Sequence, residues 1–242
     1  MPYNIPSVDR YSERKLHKDD EQIFREMLKP RHWDFGKFKE VLVTSSILET
    51  YPYNTPESIH FGKLRKFVDD LKKKTSETNK EHARGCFVNL KEKKLTFGKT
   101  TRGDEHSGRI NWDTPESSAS NYKRTMSFHT HPTIYSGLHL SPTDYVTFLN
   151  DPEQVCMLIN CADTELLVLK SSRTPDAFNL QALQKEVESN TKEFLPQDSK
   201  LQDIIRFNKA VCIDNALSLY MATSKNRDLA EKVDLFDDPE ML

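Results

Sequence analysis

Residues 125–149 read TMSFHTHPTIYSGLHLSPTDYVTFL and contain a predicted strand, a loop and a predicted helix in succession. The apolar and β-branched residues of 125–131 favour a strand. Ser141 followed by Pro142 is typical of a helix start, because serine caps helix N-termini and proline is tolerated at the first helical position. We therefore predict a strand over residues 125–131 and a helix over residues 141–149.

Strand and helix patterns also alternate on either side of this unit. Upstream, the sequence predicts a short helix near residues 20–28, strands over residues 40–48, 85–90 and 94–98, and an amphipathic helix from the start signal at residues 55–58 to about Lys74. Downstream, the sequence has apolar runs at residues 154–161 and 165–170, then a helical pattern that continues through Leu217 and Leu219.

The composition excludes several classes of protein. The chain has 242 residues, a net charge of −2 and 36% hydrophobic residues, as expected for a globular chain rather than a fibrous or disordered one. Near-zero net charge and the lack of a glycine-rich phosphate loop argue against nucleic acid as a partner. No apolar run approaches the roughly 18 to 20 residues of a membrane-spanning helix, so we expect an intracellular, cytoplasmic protein without a membrane partner.

The cysteines lie in apolar runs without a CxxC pair and are predicted to be buried free thiols: Cys86, Cys156, Cys161 and Cys212.

Two histidines and an aspartate form a candidate metal site. On a strand, His129 and His131 project from the same face because side chains alternate with period two. Asp144, at the start of the following helix, completes a His2Asp set that leaves a fourth tetrahedral position open for water, as in catalytic zinc sites. Each half also has a purely structural explanation, since histidine pairs are often hydrogen-bonded and Ser-Pro-Thr-Asp caps helices. We favour a metal site because both halves lie within sixteen residues and flank one loop.

The same stretch resembles the signature of the JAMM (MPN-type) zinc metalloproteases, His-x-His-Pro followed by Ser-x-x-Asp. The match is His129-Thr130-His131-Pro132 and Ser141-Pro142-Thr143-Asp144, and it is strong over residues 126–149. The resemblance implies an MPN fold of the α+β class, an α/β/α-like architecture with a central mixed β-sheet and flanking helices, and the helical pattern beyond Pro175 adds a C-terminal helical extension. The corresponding divisions are an N-terminal arm, an MPN/JAMM-like domain, the helical extension and an acidic tail, at residues 1–37, 38–172, 173–227 and 228–242.

The resemblance also implies the chemistry of the site. Zn2+ is expected to be held by His129, His131 and Asp144, with Ser141 helping to stabilise the oxyanion. An upstream glutamate is expected to act on the zinc-bound water. Members of the family hydrolyse isopeptide or peptide bonds at the C-termini of ubiquitin and ubiquitin-like proteins, and some relatives are inactive scaffolds.

The catalytic glutamate is less sharply defined than the metal ligands. The family places it just before a glycine-containing upstream strand, which makes Glu81 the best candidate because a strand is predicted to begin at Gly85. Three other residues are alternative candidates for the catalytic glutamate: Glu77, Glu92 and Glu105.

Two loops border the predicted site. The spacer at residues 133–140 has eight residues, two more than the family pattern, and His139 within it is an alternative ligand. The polar stretch at residues 99–121 is a candidate flap with Ile110 and Trp112 as its anchors. Both loops are expected to select the substrate, because they border the site along the chain.

These observations lead to one preferred function and two alternatives. The preferred function is a zinc isopeptidase or peptidase, a JAMM-type enzyme, with a ubiquitin or ubiquitin-like conjugate as substrate. The first alternative is a non-catalytic MPN-like module that binds a protein partner through the C-terminal helices. The second is a metal hydrolase of another amide substrate, because metal chemistry does not itself choose the acyl group.

Overall fold

A computed structural model describes the greater part of the chain. The described residues are 32–34, 55–89, 91–92, 94–104, 109–113, 122–132, 140–161, 163–171, 174–175, 179–195 and 199–236. Outside them lie the helix predicted near residues 20–28, the strand predicted over residues 40–48, Glu105, and His139 with most of the spacer.

The described residues form ten strands, four α-helices and two short 3-10 turns. The strands are β1 (His32–Asp34), β2 (Ser58–His60), β3 (His82–Asn89), β4 (Lys94–Phe97), β5 (Thr101–Arg102), β6 (Tyr122–His131), β7 (Cys156–Cys161), β8 (Thr164–Lys170), β9 (Leu217–Ala222) and β10 (Leu229–Lys232). The helices are α1 (Arg65–Thr78), α2 (Pro142–Asn150), α3 (Leu180–Phe194) and α4 (Leu201–Asp214), and the 3-10 turns are Gly62–Leu64 and Ser224–Asn226.

The strands form a single mixed sheet. Its order is β1-β2-β10-β9-β8-β7-β6-β3-β4, and β5 also pairs with β3. The pairs β1–β2 and β6–β7 are parallel, whereas β6 and β8 pair antiparallel with β3 and β7 respectively. The prediction of an α+β chain with a mixed β-sheet and helices is therefore confirmed, as are the strand over residues 125–131 and the helix that follows it.

Helices cover both faces of the sheet. On one face, Val68 and Leu71 of α1 belong to a buried apolar cluster with Phe128 of β6 and Leu158 of β7. On the other face, α2, α3 and α4 share a second cluster with the alternate residues of β7, β8 and β9. Each fully buried aliphatic or aromatic side chain contributes about 1.5–3 kcal/mol, so these two clusters hold the sheet between its helices.

The helix predicted to start at residues 55–58 begins later in the structure. Residues 58–60 are strand β2, which pairs with β10. Gly62 has a φ of +51°, a left-handed conformation outside the α-helical range, and α1 begins only at Arg65, after the 3-10 turn Gly62–Leu64. Apolar Ile59 and Phe61 match both a strand and a helix pattern, and the distant pairing with β10 decides between them.

The C-terminal prediction needs a larger correction. The helical pattern was expected to continue through Leu217 and Leu219, but α4 ends at Asp214 and both leucines belong to strand β9. Ala216, with a φ of +51°, reverses the chain between the two elements. Because β9 pairs with β8, the sheet continues past residue 172, and β10 lies within residues 228–242, the range predicted to be an acidic tail.

The fate of the C-terminal helices and the cysteines also follows from the packing. Leu183 of α3 and Phe207 of α4 pack in the second cluster, so both helices contact the sheet. Cys86, Cys156 and Cys212 are buried free thiols, as predicted. Among the residues that the structure describes, no helix combines the length and apolar character needed to cross a membrane.

Candidate metal centre

Strand β6 presents two histidines on one face of the sheet. His129 and His131 lie two residues apart near the end of the strand, and their ring centroids are 4.9 Å apart. Thr130, between them, points to the opposite face and contacts Thr75 of α1. The alternation of side chains along a strand therefore brings both imidazoles together, as the sequence predicts.

The first turn of α2 supplies the carboxylate. Ser141 is the N-cap, and its Oγ accepts a hydrogen bond from the Asp144 backbone N–H at 3.1 Å. In return, Asp144 Oδ2 accepts from the Ser141 backbone N–H at 2.8 Å and from the Ser141 hydroxyl at 2.7 Å. This capping box fixes the Asp144 side chain at the helix N-terminus, where the helix dipole favours a negative charge.

The three side chains converge. One potential ligand atom from each of His129, His131 and Asp144 lies within 4.8 Å of the other two. His129 Nε2 and Asp144 Oδ2 are 3.7 Å apart, too far for a hydrogen bond. Ligand atoms of a tetrahedral zinc ion with bonds near 2.0–2.1 Å are about 3.3 Å from one another, so this separation is close to that of zinc ligands.

The electrostatics of the cluster keep its carboxylate ionised. Burial favours the neutral form of Asp144, but the attraction of His129 and the hydrogen bond from Ser141 hold the pKa of Asp144 well below its ordinary range. Burial alone would lower the pKa of His129, but the Asp144 and Glu81 carboxylates outweigh it and raise that pKa. Asp144 is therefore negatively charged at neutral pH, as a carboxylate ligand of a metal must be.

One nitrogen of the cluster lacks a hydrogen-bond partner. His129 is 5% exposed, and its Nε2 atom is buried without a hydrogen bond to any residue in the described ranges. A buried polar atom without a partner loses its hydration and gains nothing in exchange, which costs about 1–3 kcal/mol. Two imidazoles and a carboxylate are a ligand set that suits Zn2+. The residues present therefore fit a divalent metal such as zinc.

Glu81 lies beside the same cluster. The register of β3 and β6 pairs His82 with Thr130, and one further residue along each strand places Glu81 opposite His131. Their side chains approach to 3.6 Å between Glu81 Oε1 and His131 Nε2, and the Glu81 side chain is 10% exposed.

The other candidate glutamates lie elsewhere. Glu77 is on the solvent side of α1, where it is within 3.8 Å of Lys73, and its side chain is 59% exposed. Glu92 lies in the turn between β3 and β4, at the end of β3 away from the cluster. Glu105 is outside the described residues, so Glu81 is the described candidate that the structure places beside the histidines.

The hydroxyl of Ser141 lies next to the cluster but is already used. It donates its hydrogen to Asp144 Oδ2, so in this arrangement it holds a candidate ligand rather than pointing to an open position.

The polar loop predicted as a flap is attached to β3 by the predicted anchors, because Trp112 and Ile110 fill the space above Gly85. A Cβ atom at Gly85 would lie 2.7 Å from the Trp112 ring, so this glycine permits the contact.

Sequence reasoning missed the polar residues on the opposite face of the sheet. His82 and Thr75 are buried there and hydrogen-bonded to each other. The signal was present in the period-two alternation around Glu81, but recognising it required the pairing of β3 with β6 and the packing of α1.

Comparison with known proteins returns no relative: no protein-family model, no curated protein and no solved structure matches this chain. The functional interpretation therefore depends on the residues of the centre and their geometry.

Proposed function

We propose that this protein is a zinc-dependent isopeptidase or peptidase of the JAMM type, with an MPN-like fold. Its substrate is an amide bond at the C-terminus of ubiquitin or a ubiquitin-like protein in a conjugate. The observation that carries the proposal is the convergence of His129, His131 and Asp144 beside the Glu81 carboxylate. The substrate class comes from the resemblance of residues 126–149 to the family signature.

The ligand set favours a catalytic role over a structural one. Structural zinc sites are closed by four protein ligands, whereas the described part of the chain brings together three candidate ligands, His129, His131 and Asp144. A zinc ion held by these three side chains would supply Lewis acidity and would lower the pKa of a bound water to about 7. The burial of His129 keeps the centre in a region of low dielectric, where charges interact more strongly than in water.

Glu81 is the proton carrier in this proposal. Its carboxylate is beside His131 without belonging to the three-ligand group, which suits a general base rather than a metal ligand. It accepts a proton from the attacking water and delivers that proton to the departing amine nitrogen. Proton transfer by a positioned side chain typically contributes a factor of about 10²–10⁴ in rate.

Ser141 and Asp144 act as a pair. The Ser141 hydroxyl orients the Asp144 carboxylate in the arrangement described above. To stabilise an oxyanion, as the family resemblance implies, the hydroxyl must rotate away from Asp144 toward the substrate carbonyl. The Ser141 backbone N–H keeps its own bond to Asp144 during that rotation, so the ligand stays oriented.

The decisive experiment measures zinc before activity. The wild-type protein, His131→Ala and the control His60→Ala are purified, incubated with zinc and desalted, and metal is measured by elemental analysis. His60 is an exposed histidine on β2, outside the centre. We expect about one zinc per chain in the wild type and the control and none in His131→Ala, since losing one of three ligands leaves too few to hold the ion.

A cleavage assay then separates the enzyme from its alternatives. Zinc-loaded wild type and His131→Ala are incubated with a panel of ubiquitin and ubiquitin-like conjugates, and free modifier is detected by mass spectrometry. Cleavage by the wild type alone supports the proposal. Zinc binding without cleavage of any conjugate favours a non-catalytic module or another amide substrate, and absence of zinc after reconstitution rejects the metalloprotease.

A further inference from the structure

A chain of buried hydrogen bonds lies on the face of the sheet opposite to the candidate metal centre. It connects Thr75 of α1, Thr130 of β6 and His82 of β3. We propose that His82 is a positioning residue that holds the Glu81 carboxylate in its working place from behind the sheet. This inference rests on the proposed function, in which Glu81 carries the proton.

The contacts of His82 connect α1, β3 and β6. Its Nδ1 atom is 3.0 Å from the Lys80 carbonyl oxygen and 3.2 Å from the Thr75 hydroxyl. The Thr130 hydroxyl donates to the His82 carbonyl oxygen at 3.2 Å, and the Thr75 and Thr130 hydroxyls are also hydrogen-bonded to each other. Thr75, Thr130 and His82 are all buried, so the hydrogen bonds among these three residues are shielded from water.

The direction of each hydrogen bond follows from counting protons. Thr130 has one hydroxyl hydrogen, which it donates to the His82 carbonyl. Thr75 must therefore donate to Thr130, which leaves the Thr75 oxygen as an acceptor toward His82. The Lys80 carbonyl can only accept. Both partners of Nδ1 are thus acceptors, and His82 carries its proton on Nδ1.

This arrangement fixes the peptide that precedes Glu81. The imidazole Nδ1–H of His82 donates to the Lys80 carbonyl oxygen, which belongs to the Lys80–Glu81 peptide group. On the other side, the Glu81 backbone N–H donates to the Asp104 carbonyl at 2.9 Å, and the Gly103 N–H donates to the Glu81 carbonyl at 2.8 Å. The backbone of Glu81 is therefore held from two sides, at the strand position from which its carboxylate lies 3.6 Å from His131.

The position of Glu81 has a direct kinetic consequence. A displacement of about 1 Å at a reacting group can lower the rate about 100-fold. Loss of the His82 contact frees the Lys80–Glu81 peptide while leaving the three metal ligands untouched. The expected result is a lower kcat, about 10- to 100-fold, with unchanged zinc content.

Two substitutions at His82 separate the hydrogen bond from the volume of the side chain. His82→Leu removes the donor, whereas in His82→Asn the amide nitrogen occupies nearly the place of Nδ1 and can donate to the Lys80 carbonyl. We expect kcat to fall in His82→Leu and to recover largely in His82→Asn. If His82→Leu does not fold, His82→Phe provides the same test, because it removes the donor to the Lys80 carbonyl and keeps a planar ring of similar size.

A double-mutant comparison distinguishes positioning from general stability. In the Glu81→Gln background there is no carboxylate to position, so His82→Leu should lower kcat no further. Equal fold losses in both backgrounds, or wild-type kcat in His82→Leu, would overturn the inference. Wild-type turnover in Glu81→Gln alone would reject the proposed function itself, and the role of His82 with it.

A second readout does not depend on activity. Amide hydrogen exchange of Glu81 and Gly103 is measured by NMR in metal-free wild type and His82→Leu, with the Gly98 amide, bonded to Gly85, as an internal reference. We expect faster exchange at Glu81 and Gly103 and unchanged exchange at Gly98. Unchanged exchange at all three amides would show that His82 does not hold the Glu81 backbone.

Discussion

Replacing Ser141 by alanine tests the link between helix capping and metal binding. The substitution removes the hydroxyl that accepts from the Asp144 N–H and donates to Asp144 Oδ2, while the Ser141 backbone N–H remains. Loss of an N-cap side chain costs about 1 kcal/mol. Loss of a hydrogen bond to a charged group adds about 1.5 kcal/mol, reduced here because the Asp144 side chain is 28% exposed and water can replace the hydroxyl. The expected loss of unfolding free energy is about 2 kcal/mol.

The same substitution should weaken zinc binding without abolishing it. Residues that orient a metal ligand typically contribute a factor of about 10–100 to metal affinity. In Ser141→Ala, Asp144 keeps one of its two bonds from residue 141, so a loss near the lower end, about 10-fold, is expected. Turnover should fall further, because loss of one oxyanion donor costs about 10²–10³ in rate.

Two measurements check these magnitudes. Urea unfolding in the presence of EDTA gives the stability of the metal-free protein, and a loss of about 2 kcal/mol lowers the midpoint by about 1 M for a slope near 2 kcal/mol/M. Competition with a chelating dye gives zinc affinity. Ser141→Thr retains the cap and should resemble the wild type, as should Thr143→Ala on the exposed side of α2. Equal midpoints and equal zinc affinity in Ser141→Ala and wild type would refute the reasoning.

Three further substitutions test other parts of the structure. Glu81→Gln should keep zinc and lose at least about 100-fold in turnover, with Glu77→Gln unchanged as control, and loss of zinc would contradict its assignment as a base. Gly85→Ala should displace Trp112, shift tryptophan emission and cost about 1–3 kcal/mol in urea unfolding, whereas unchanged emission would contradict the close contact. Burial lowers the pKa of Lys170 to about 7, so between about pH 7 and 10 the unfolded chain binds a proton that the folded chain lacks. The free energy of unfolding should therefore rise with pH by up to about 1.4 kcal/mol per pH unit relative to Lys170→Met. The same change in urea midpoint between pH 7 and pH 9.5 in both proteins would refute this.

The locally encoded parts of the centre were predictable from the sequence. The spacing of His129 and His131 needs only the alternation of a strand, and the Ser141–Asp144 capping box needs only the first turn of a helix. Each interaction lies within four residues of chain. Their convergence on one point was indicated by the short distance along the sequence between the two elements.

The C-terminal strands show where local patterns fail. Leu217 and Leu219 continue the apolar pattern of α4, and two alternating leucines are compatible with a helix or a strand. In the structure they face the cluster formed by α2, α3 and α4, because β9 pairs with β8 along its whole length. That pairing joins residues about 50 positions apart, which periodicity within a window of one helix does not detect.

The pairing of β3 with β6 contains an irregularity that no pattern in the sequence reveals. The β3–β6 register shifts between Cys86 and Phe87, where β6 contains an extra residue, Thr125. The Thr125 hydroxyl donates to the Cys86 carbonyl and its own carbonyl accepts from the Val155 N–H, so the bulge leaves both oxygens satisfied.

Side chains alternate between the two faces of a sheet. If one strand shifts by one residue along its neighbour, each of its side chains therefore changes face relative to that neighbour. Without the bulge, a single register could not give both the observed pairing of Phe87 and Val88 with β6 and the pairing of Glu81 with His131. The bulge thus allows the start of β6, where Lys123 and Arg124 pair with Glu153, to follow a different register from the end of the strand, which carries the histidines. The two-residue spacing of the histidines is encoded locally, whereas the pairing of Glu81 with His131 is set by the register of β3 against β6, which is unbroken from Cys86–Met126 to His82–Thr130.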